Sequence, residues 1–458
     1  MSILAIAATI TDKGEVSVME MPSSKSGEGS LWVATAAPME RFPELREQAR
    51  AQVAVIGGGF TGLCAALHLS TAGRDVVVLE AGEVGEGASG RNGGQVIPGL
   101  KYDPDTLEEM FGARLGPKLV ATVAGAPDRV FELIQKHAIQ CAAVRAGWLQ
   151  LATSESALRP IEARVRQWRA RGADVQMLDR AAAARLSGTE RYHGGLIDRR
   201  AGTVQPLDYV RGLASAARRS GVRVFTQSAA VRAERTGAEW RIHTRGGTLS
   251  SAQVVVATNA YANDLFAPLQ ETFVAVPSMQ VATAPLPLDL RASILPHGQA
   301  ASDTWRLLRY FRLDPAGRLI MGSRGVFGNV SLRSVAGLHY RAVREIYPQL
   351  AGIPFDHHWC GYVAMTPDHL PHLHDVAPGV VAGLGYNGRG VAMATTMGAL
   401  LARRLLGESA DDLGFPISPM RPMPMHRFSR LGAAAAIQYL RALDGISRCV
   451  EKWGHRVK

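Results

Sequence analysis

Three glycine-rich turns carry most of the chemistry that can be read from this chain. The first is Gly57-x-Gly59-x-x-Gly62, with Phe60 and Thr61 inside it. It follows an apolar run, Val53 to Ile56, and leads into an amphipathic stretch, Leu63 to Thr71. Glycine at the first position permits a tight turn. At the second it lets backbone approach a pyrophosphate, and at the third it lets the helix pack on its sheet. Phosphate oxygens then meet free N–H groups at the positive end of a helix. A second apolar run, Asp75 to Glu80, ends on a carboxylate about 20 residues further on, where it can bind ribose hydroxyls. The turn alone is weak evidence. With both strands, the helix and the terminal acid in place, it reads as a dinucleotide-binding unit.

The other two turns separate a flavin from a nicotinamide. Gly87-Ala88-Ser89-Gly90-Arg91-Asn92-Gly93-Gly94-Gln95 comes directly after the second strand. Its small and hydrogen-bonding residues suit a loop under a second phosphate and a ribityl chain. The segment from Gly383 to Gly390 lies between the apolar run Val380 to Ala382 and the helical stretch Val391 to Leu406. No strand with a terminal acid follows that helix, so it is not a second nucleotide fingerprint. Its use is a helix N-terminus aimed at the N1 and C2 carbonyl edge of FAD, where the reduced ring is negative.

The elements that position these turns fit a chain of 458 residues with 47% hydrophobic and 20% charged residues. That is enough for one large or two medium domains. The pattern predicts an α/β protein: an FAD-binding Rossmann-like domain with an inserted, antiparallel-sheet substrate domain of α+β type. The expected boundaries are an N-terminal extension over 1–50; a discontinuous FAD-binding domain over 51–100, 200–264 and 356–408; a substrate domain over 101–199 and 265–355; and a C-terminal helical appendage over 409–458. Leu31-Trp32-Val33 reads as an isolated strand. Residues 104–185 read as mostly helical. Trp240 to Thr244 and Thr248-Leu249 alternate like a hairpin about Gly246-Gly247.

Net charge is +11, from arginines scattered along the chain with no dense run and no nucleic-acid-binding motif. Cys64, Cys141, Cys360 and Cys449 are not spaced as metal ligands, and no metal site is expected. Scattered cysteines suit free thiols in a reducing compartment. Met1 to Ile10 is short, lacks a basic flank and runs into Asp12 and Lys13, so it is a poor signal peptide. A cytoplasmic protein without a membrane anchor is expected. Oligomeric state is not legible.

VAVIGGGFTGLCAALHL, VVVLEAGEVGEGASGRNGGQ, VVVATNAY and GYNGRGVA stand in an order and spacing that resemble the D-amino-acid-oxidase superfamily of flavoproteins. That superfamily includes sarcosine and glycine oxidases, and the chain looks most like its γ-glutamylputrescine oxidase branch. The resemblance implies FAD contacts from Gly57, Gly59, Phe60, Thr61 and Gly62, and ribose contacts from Glu80 and Ala81. Ala88, Ser89, Arg91, Asn92, Gly93, Gly94 and Gln95 would line the pyrophosphate and isoalloxazine, and Ala257 would also contact the cofactor. Val231 would meet adenine through its backbone. Gly361, Asn387, Gly388, Arg389, Gly390 and Val391 would lie at the flavin ring. Relatives usually carry histidine where Arg389 stands, so a permanent cation there would stabilise reduced flavin or form a salt bridge.

Sarcosine oxidases attach flavin through a cysteine whose slot is Gly361 here, with Cys360 next to it. Non-covalent FAD is therefore expected. Their carboxylate-binding lysine corresponds to Ala392, which favours an extended amine over an α-amino acid. Their oxygen-activating lysine is absent, so the electron acceptor is O2 or another oxidant.

The implied activity is hydride transfer from the carbon next to an amine nitrogen to flavin N5, followed by imine hydrolysis. γ-Glutamylputrescine or a related polyamine-derived molecule is the expected substrate. A D-amino-acid, glycine or N-methyl amino-acid oxidase is one alternative, and an electron-transfer subunit of a complex is another. His369, with His372 as a second candidate, stands where it can take a proton from an incoming ammonium. Alternation puts Tyr310 and Arg312 on one strand face, with Arg312 for a distant substrate carboxylate. Trp32 is a candidate cover for the pocket.

Overall fold

A computed structural model describes residues 29–325, 327 and 332–454. Two eight-stranded sheets organise them.

The first sheet runs in the order His372–Ala377, Val380–Leu384, Thr248–Val256, Gln48–Ile56, Val76–Leu79, Arg223–Phe225. The hairpin Arg232–Thr236 and Glu239–His243 is joined antiparallel to Thr248–Val256. Its central strands pair in parallel. Parallel strands are covered on both faces, so they read as unbroken apolar runs. Val53, Val55, Val76, Val78 and Val255 pack towards the helices Phe60–Thr71, Pro206–Arg219 and Gly390–Leu405. Their neighbours Ala54, Ile56, Val77, Leu79 and Val254 pack on the opposite face against Phe266, Leu269 and Phe273. The helices Phe60–Thr71 and Gly390–Leu405 touch closely: a Cβ on Gly398 would lie 2.5 Å from the Thr61 carbonyl oxygen.

The second sheet runs Phe355–Met365, Val274–Thr283, Leu319–Arg324, Tyr310–Leu313, Ala300–Asp303, Trp148–Leu151, Gly195–Asp198, Val175–Leu178. It is antiparallel except where Ala300–Asp303 pairs in parallel with Trp148–Leu151. Its two faces differ. Leu149, Met279, Val281, Phe311, Leu319 and Met321 form one core with the helix Leu332–Ile346 behind them. The residues between them, including Gln150, Ser278, Gln280, Ser302, Tyr310 and Arg312, share the other face through their cross-strand pairings. That polar face looks towards the glycine turns.

Two expectations need correction. Leu31–Thr35 is a short helix, not a strand, because Leu31 and Trp32 are driven into the core from one side. Residues 356–365, assigned above to the FAD-binding domain, form an edge strand of the second sheet paired with Val274–Thr283. The segment 104–185 is mostly helical, as expected, and adds two short strands to that sheet, Trp148–Leu151 and Val175–Leu178. Among the described residues, no helix is long and apolar enough to cross a membrane. The C-terminal region holds the helices Ala410–Leu413 and Ser429–Gly454.

Candidate active site

The first turn is shaped by what its glycines exclude. Gly57 has φ +108°, and Gly62 packs so tightly that a Cβ would lie 1.9 Å from the Gly57 oxygen. A Cβ on Gly59 would lie 2.8 Å from Ser89 Oγ. The Ala257 carbonyl backs Gly57, and the Ala257 N–H donates to Ile56 O at 2.8 Å. The helix Phe60–Thr71 then begins without a side-chain cap and without an acid in its first turn. Orphan N–H groups at such an end attract anions.

Hydrogen bonds join the three turns. Phe60 N–H donates to Ser89 Oγ at 3.0 Å, and Thr61 Oγ1 lies 2.6 Å from Tyr386 Oη. Glu80 accepts from Gly58 N–H at 2.6 Å and from Gly82 N–H at 3.0 Å. Two of its four or so lone-pair sites are thereby used, leaving others for ribose hydroxyls. Burial pushes the Glu80 carboxyl up, against the lowering effect of those backbone donors. Ala81 follows at the exposed lip. Glu80→Ala should weaken FAD retention by about 10- to 100-fold, the value of charge-assisted bonds to the nucleotide. The check is flavin content after dialysis, and a fully loaded variant would refute the ribose contact.

The second turn is braced by its own side chains and by the second sheet. Asn92 Nδ2 donates to Ala88 O at 3.1 Å and Ser89 O at 2.8 Å, while its Oδ1 accepts from Gly94 N–H at 2.8 Å. Arg91 O accepts from Trp359 Nε1 at 2.9 Å and from Gln280 Nε2. Arg91 Nε donates to Glu86 O at 2.6 Å. Gly93 faces the Tyr310 ring, Gly361 faces Arg91, and Gln95 Nε2 donates to Phe311 O at 3.2 Å.

The third turn opens outward. Gly388 has φ +93° with no atom within 4 Å of its would-be Cβ. Asn387 has φ +50° and exchanges hydrogen bonds with Thr366. The helix from Gly390, with Val391 buried in its first turn, again has no side-chain cap and no acid near its start. Elsewhere Asp179, Gln205 and Ser409 cap helices through their side chains. Two bare N-termini facing glycine-lined space fit an anionic dinucleotide such as FAD.

The other candidates divide. Arg389 Nη1 donates to Pro98 O at 2.5 Å, and the guanidinium lies 5.5 Å over the Trp148 ring. It forms no salt bridge among the described residues. Burial lowers its pKa to about 10, with Arg164 adding to the effect. It walls a narrow pocket of mixed lining with Leu100, Asp103, Trp168 and Asp198.

Trp32 is 1% exposed and donates from Nε1 to Asn92 O at 2.8 Å, so it braces the second turn. Arg312 is 3% exposed, lies 5.0 Å over the Trp32 ring and donates to Val204 O at 2.7 Å. Burial lowers its pKa to about 10. The guanidinium is closed in behind Gly94, out of reach of a substrate. Tyr310 Oη lies 3.0 Å from Ser278 Oγ on the polar sheet face, as alternation required. Val231 opens the hairpin, and its N–H is committed to His243 O at 2.8 Å, leaving only its carbonyl for adenine.

His369 has φ +57°, and its Nδ1 is buried without a partner. Burial, then the charges of Lys101 and Arg324, hold its pKa below the usual histidine value. His372 is instead bound to Asp368 at 2.9 Å. Arg324 was not legible as a site residue. It is the next same-face position after Gly322, on a strand whose end only the structure shows.

The family model for FAD-dependent oxidoreductases of the D-amino-acid-oxidase (DAO) type matches residues 52–404. The chain belongs to the DAO family. As a DAO-family enzyme it uses FAD to oxidise CH–NH groups of amines or amino acids. It is 32% identical to the γ-glutamylputrescine oxidoreductase of Escherichia coli over 412 residues, covering 88% of this chain and 96% of the relative. Among solved structures, glycine oxidase from Geobacillus kaustophilus superposes with a TM-score of 0.68 at 23% identity, covering 82% of this chain and 99% of that one. An L-amino acid deaminase from Proteus vulgaris gives 0.67 at 20% identity, covering 82% and 94%. These two show the DAO fold.

Proposed function

We propose that this DAO-family enzyme oxidises an extended amine bearing no carboxylate on the reacting carbon, with γ-glutamylputrescine as its substrate. The carrying observation is the nearly end-to-end similarity to γ-glutamylputrescine oxidoreductase. Ala392, fully buried on the helix Gly390–Leu405, supports the reading, since an alanine there supplies no cation to hold an α-carboxylate.

FAD, when bound, takes the hydride from the carbon next to nitrogen. The protein's part is to hold and neutralise the amine. An alkylammonium resembles lysine, with a pKa near about 10, and only the neutral amine has the lone pair that drives hydride loss. The lowered pKa of His369 favours its neutral imidazole, the proposed acceptor of that proton. Ser278 on the polar sheet face pairs with Arg324, whose charge reaches His369. The proposed cofactor bond is non-covalent. Burial pushes the Cys360 thiol up, which leaves it protonated and a poor nucleophile.

The test is an anaerobic panel of amines and amino acids scored by flavin bleaching, then admission of air to identify the acceptor. Bleaching by glycine or D-amino acids, but not by γ-glutamylputrescine, would sink the reading. His369→Phe should slow bleaching at pH 7 by roughly 100-fold. In the native protein the acid limb due to His369 should lie below about pH 6.5, since a lowered pKa keeps the base form present to lower pH. An unchanged rate in the variant would remove His369 from the chemistry.

A further inference from the structure

Resting on the amine-oxidation reading, we infer that Arg324, with Lys101 beside it, holds a substrate carboxylate remote from the carbon being oxidised. Ser278 pairs with Gly361 on one side and with Arg324 on the other. Residues directly opposite in a ladder share a face, so Arg324 lies on the polar side that meets Arg91 and the second glycine turn. It stands two strand spacings, about 10 Å, from Gly361. The sheet thus sets the Arg324 backbone well apart from the position expected at the flavin ring. A charge held there matches the far end of an extended molecule.

The electrostatics leave this position wanting an anion. Arg324 is half-buried, and among the described residues its guanidinium has no hydrogen-bond or ion-pair partner. Burial lowers its pKa, as for a cation whose lost hydration is not replaced. Lys101 and His369 lie within its electrostatic reach. Asp368, the neighbouring carboxylate, is engaged by His372 at 2.9 Å and by Leu370 N–H at 3.1 Å. Tyr102 donates to Asp368 O at 2.9 Å, which holds the Lys101 segment against this loop. Arg312, the other arginine on this face, is closed off beneath Trp32.

The test uses FAD-loaded protein and a ligand that cannot turn over: γ-glutamyl-n-butylamide, which keeps the remote carboxylate and lacks the reacting amine. Its α-methyl ester, which removes the carboxylate charge and keeps the ammonium, is the control. Binding is read from perturbation of the flavin absorbance. The native protein should prefer the acid over the ester by about 10- to 100-fold. Arg324→Gln should abolish that preference with flavin content unchanged, Arg324→Lys should restore part of it, and Lys101→Met should reduce it only a few-fold. Equal affinity of native protein for acid and ester, no binding of the acid, or an undiminished preference in Arg324→Gln would each overturn the assignment. Turnover of γ-glutamylputrescine is measured separately. If it fails while the acid preference stands, the substrate reading falls and the anion site survives.

Discussion

Gly62→Ala protein should be recovered nearly colourless, if it is recovered at all. The added methyl would lie 1.9 Å from the Gly57 carbonyl oxygen and 3.1 Å from Val55 Cγ1. Neither can yield. Val55 is fully buried in a central strand, and Gly57 is held at φ +108° against the Ala257 backbone. The helix Phe60–Thr71 must therefore lift off its sheet, which removes its free N–H groups from the phosphate position. Overpacking of this kind costs about 1–3 kcal/mol and sometimes more, before the loss of cofactor stabilisation is added. The measurements are the ratio of flavin to protein absorbance and the denaturation midpoint. Gly73→Ala is the control. It carries the backbone strain of φ +77° with no atom within 4 Å, so it should stay yellow. A yellow Gly62→Ala protein of native stability would mean that the turn does not seat a pyrophosphate.

Asp303→Ala should destabilise the second sheet by about 3–5 kcal/mol, the cost of leaving a buried charge without its partner. The Asp303 side chain is fully buried and accepts from Arg309 Nε at 2.6 Å, Arg309 N–H at 2.9 Å and Trp305 N–H at 3.3 Å. It thus ties both ends of the turn between the strands Ala300–Asp303 and Tyr310–Leu313. Removing it strands the Arg309 guanidinium, whose remaining carboxylate partner is Glu345 at 3.1 Å. Tyr310 follows directly, so flavin retention should fall along with the denaturation midpoint. Arg218→Ala breaks the exposed pair with Glu40 and should leave the midpoint nearly unchanged. Equal midpoints for the two variants would contradict this account.

The glycine turns were legible because their constraint is local. Gly57, Gly59 and Gly62 are read from spacing, and the structure finds backbone or side chain where each Cβ would be. The alternation of Tyr310 and Phe311 was equally local, and the two side chains do fall on opposite faces. What failed was long-range. Trp359 to Met365 lies near the last glycine turn in sequence, yet its pairing is with Val274–Thr283. The burial of Arg312 depends on Trp32, whose helix a three-residue apolar run does not announce. Arg324 is conspicuous only once Asp368 is seen to be engaged by His372 and no ion-pair partner stands beside the arginine among the described residues.

The nucleotide sheet also bears on how the enzyme is made. Ile56 pairs with Leu79 on one side and with Val256 on the other, and Val256 in turn pairs with Ala382. A growing chain on the ribosome thus displays its first glycine turn long before the neighbours that steady it exist. Contacts so distant along the chain slow folding. The sheet that carries the first turn is therefore complete only when the chain has emerged past Ala382.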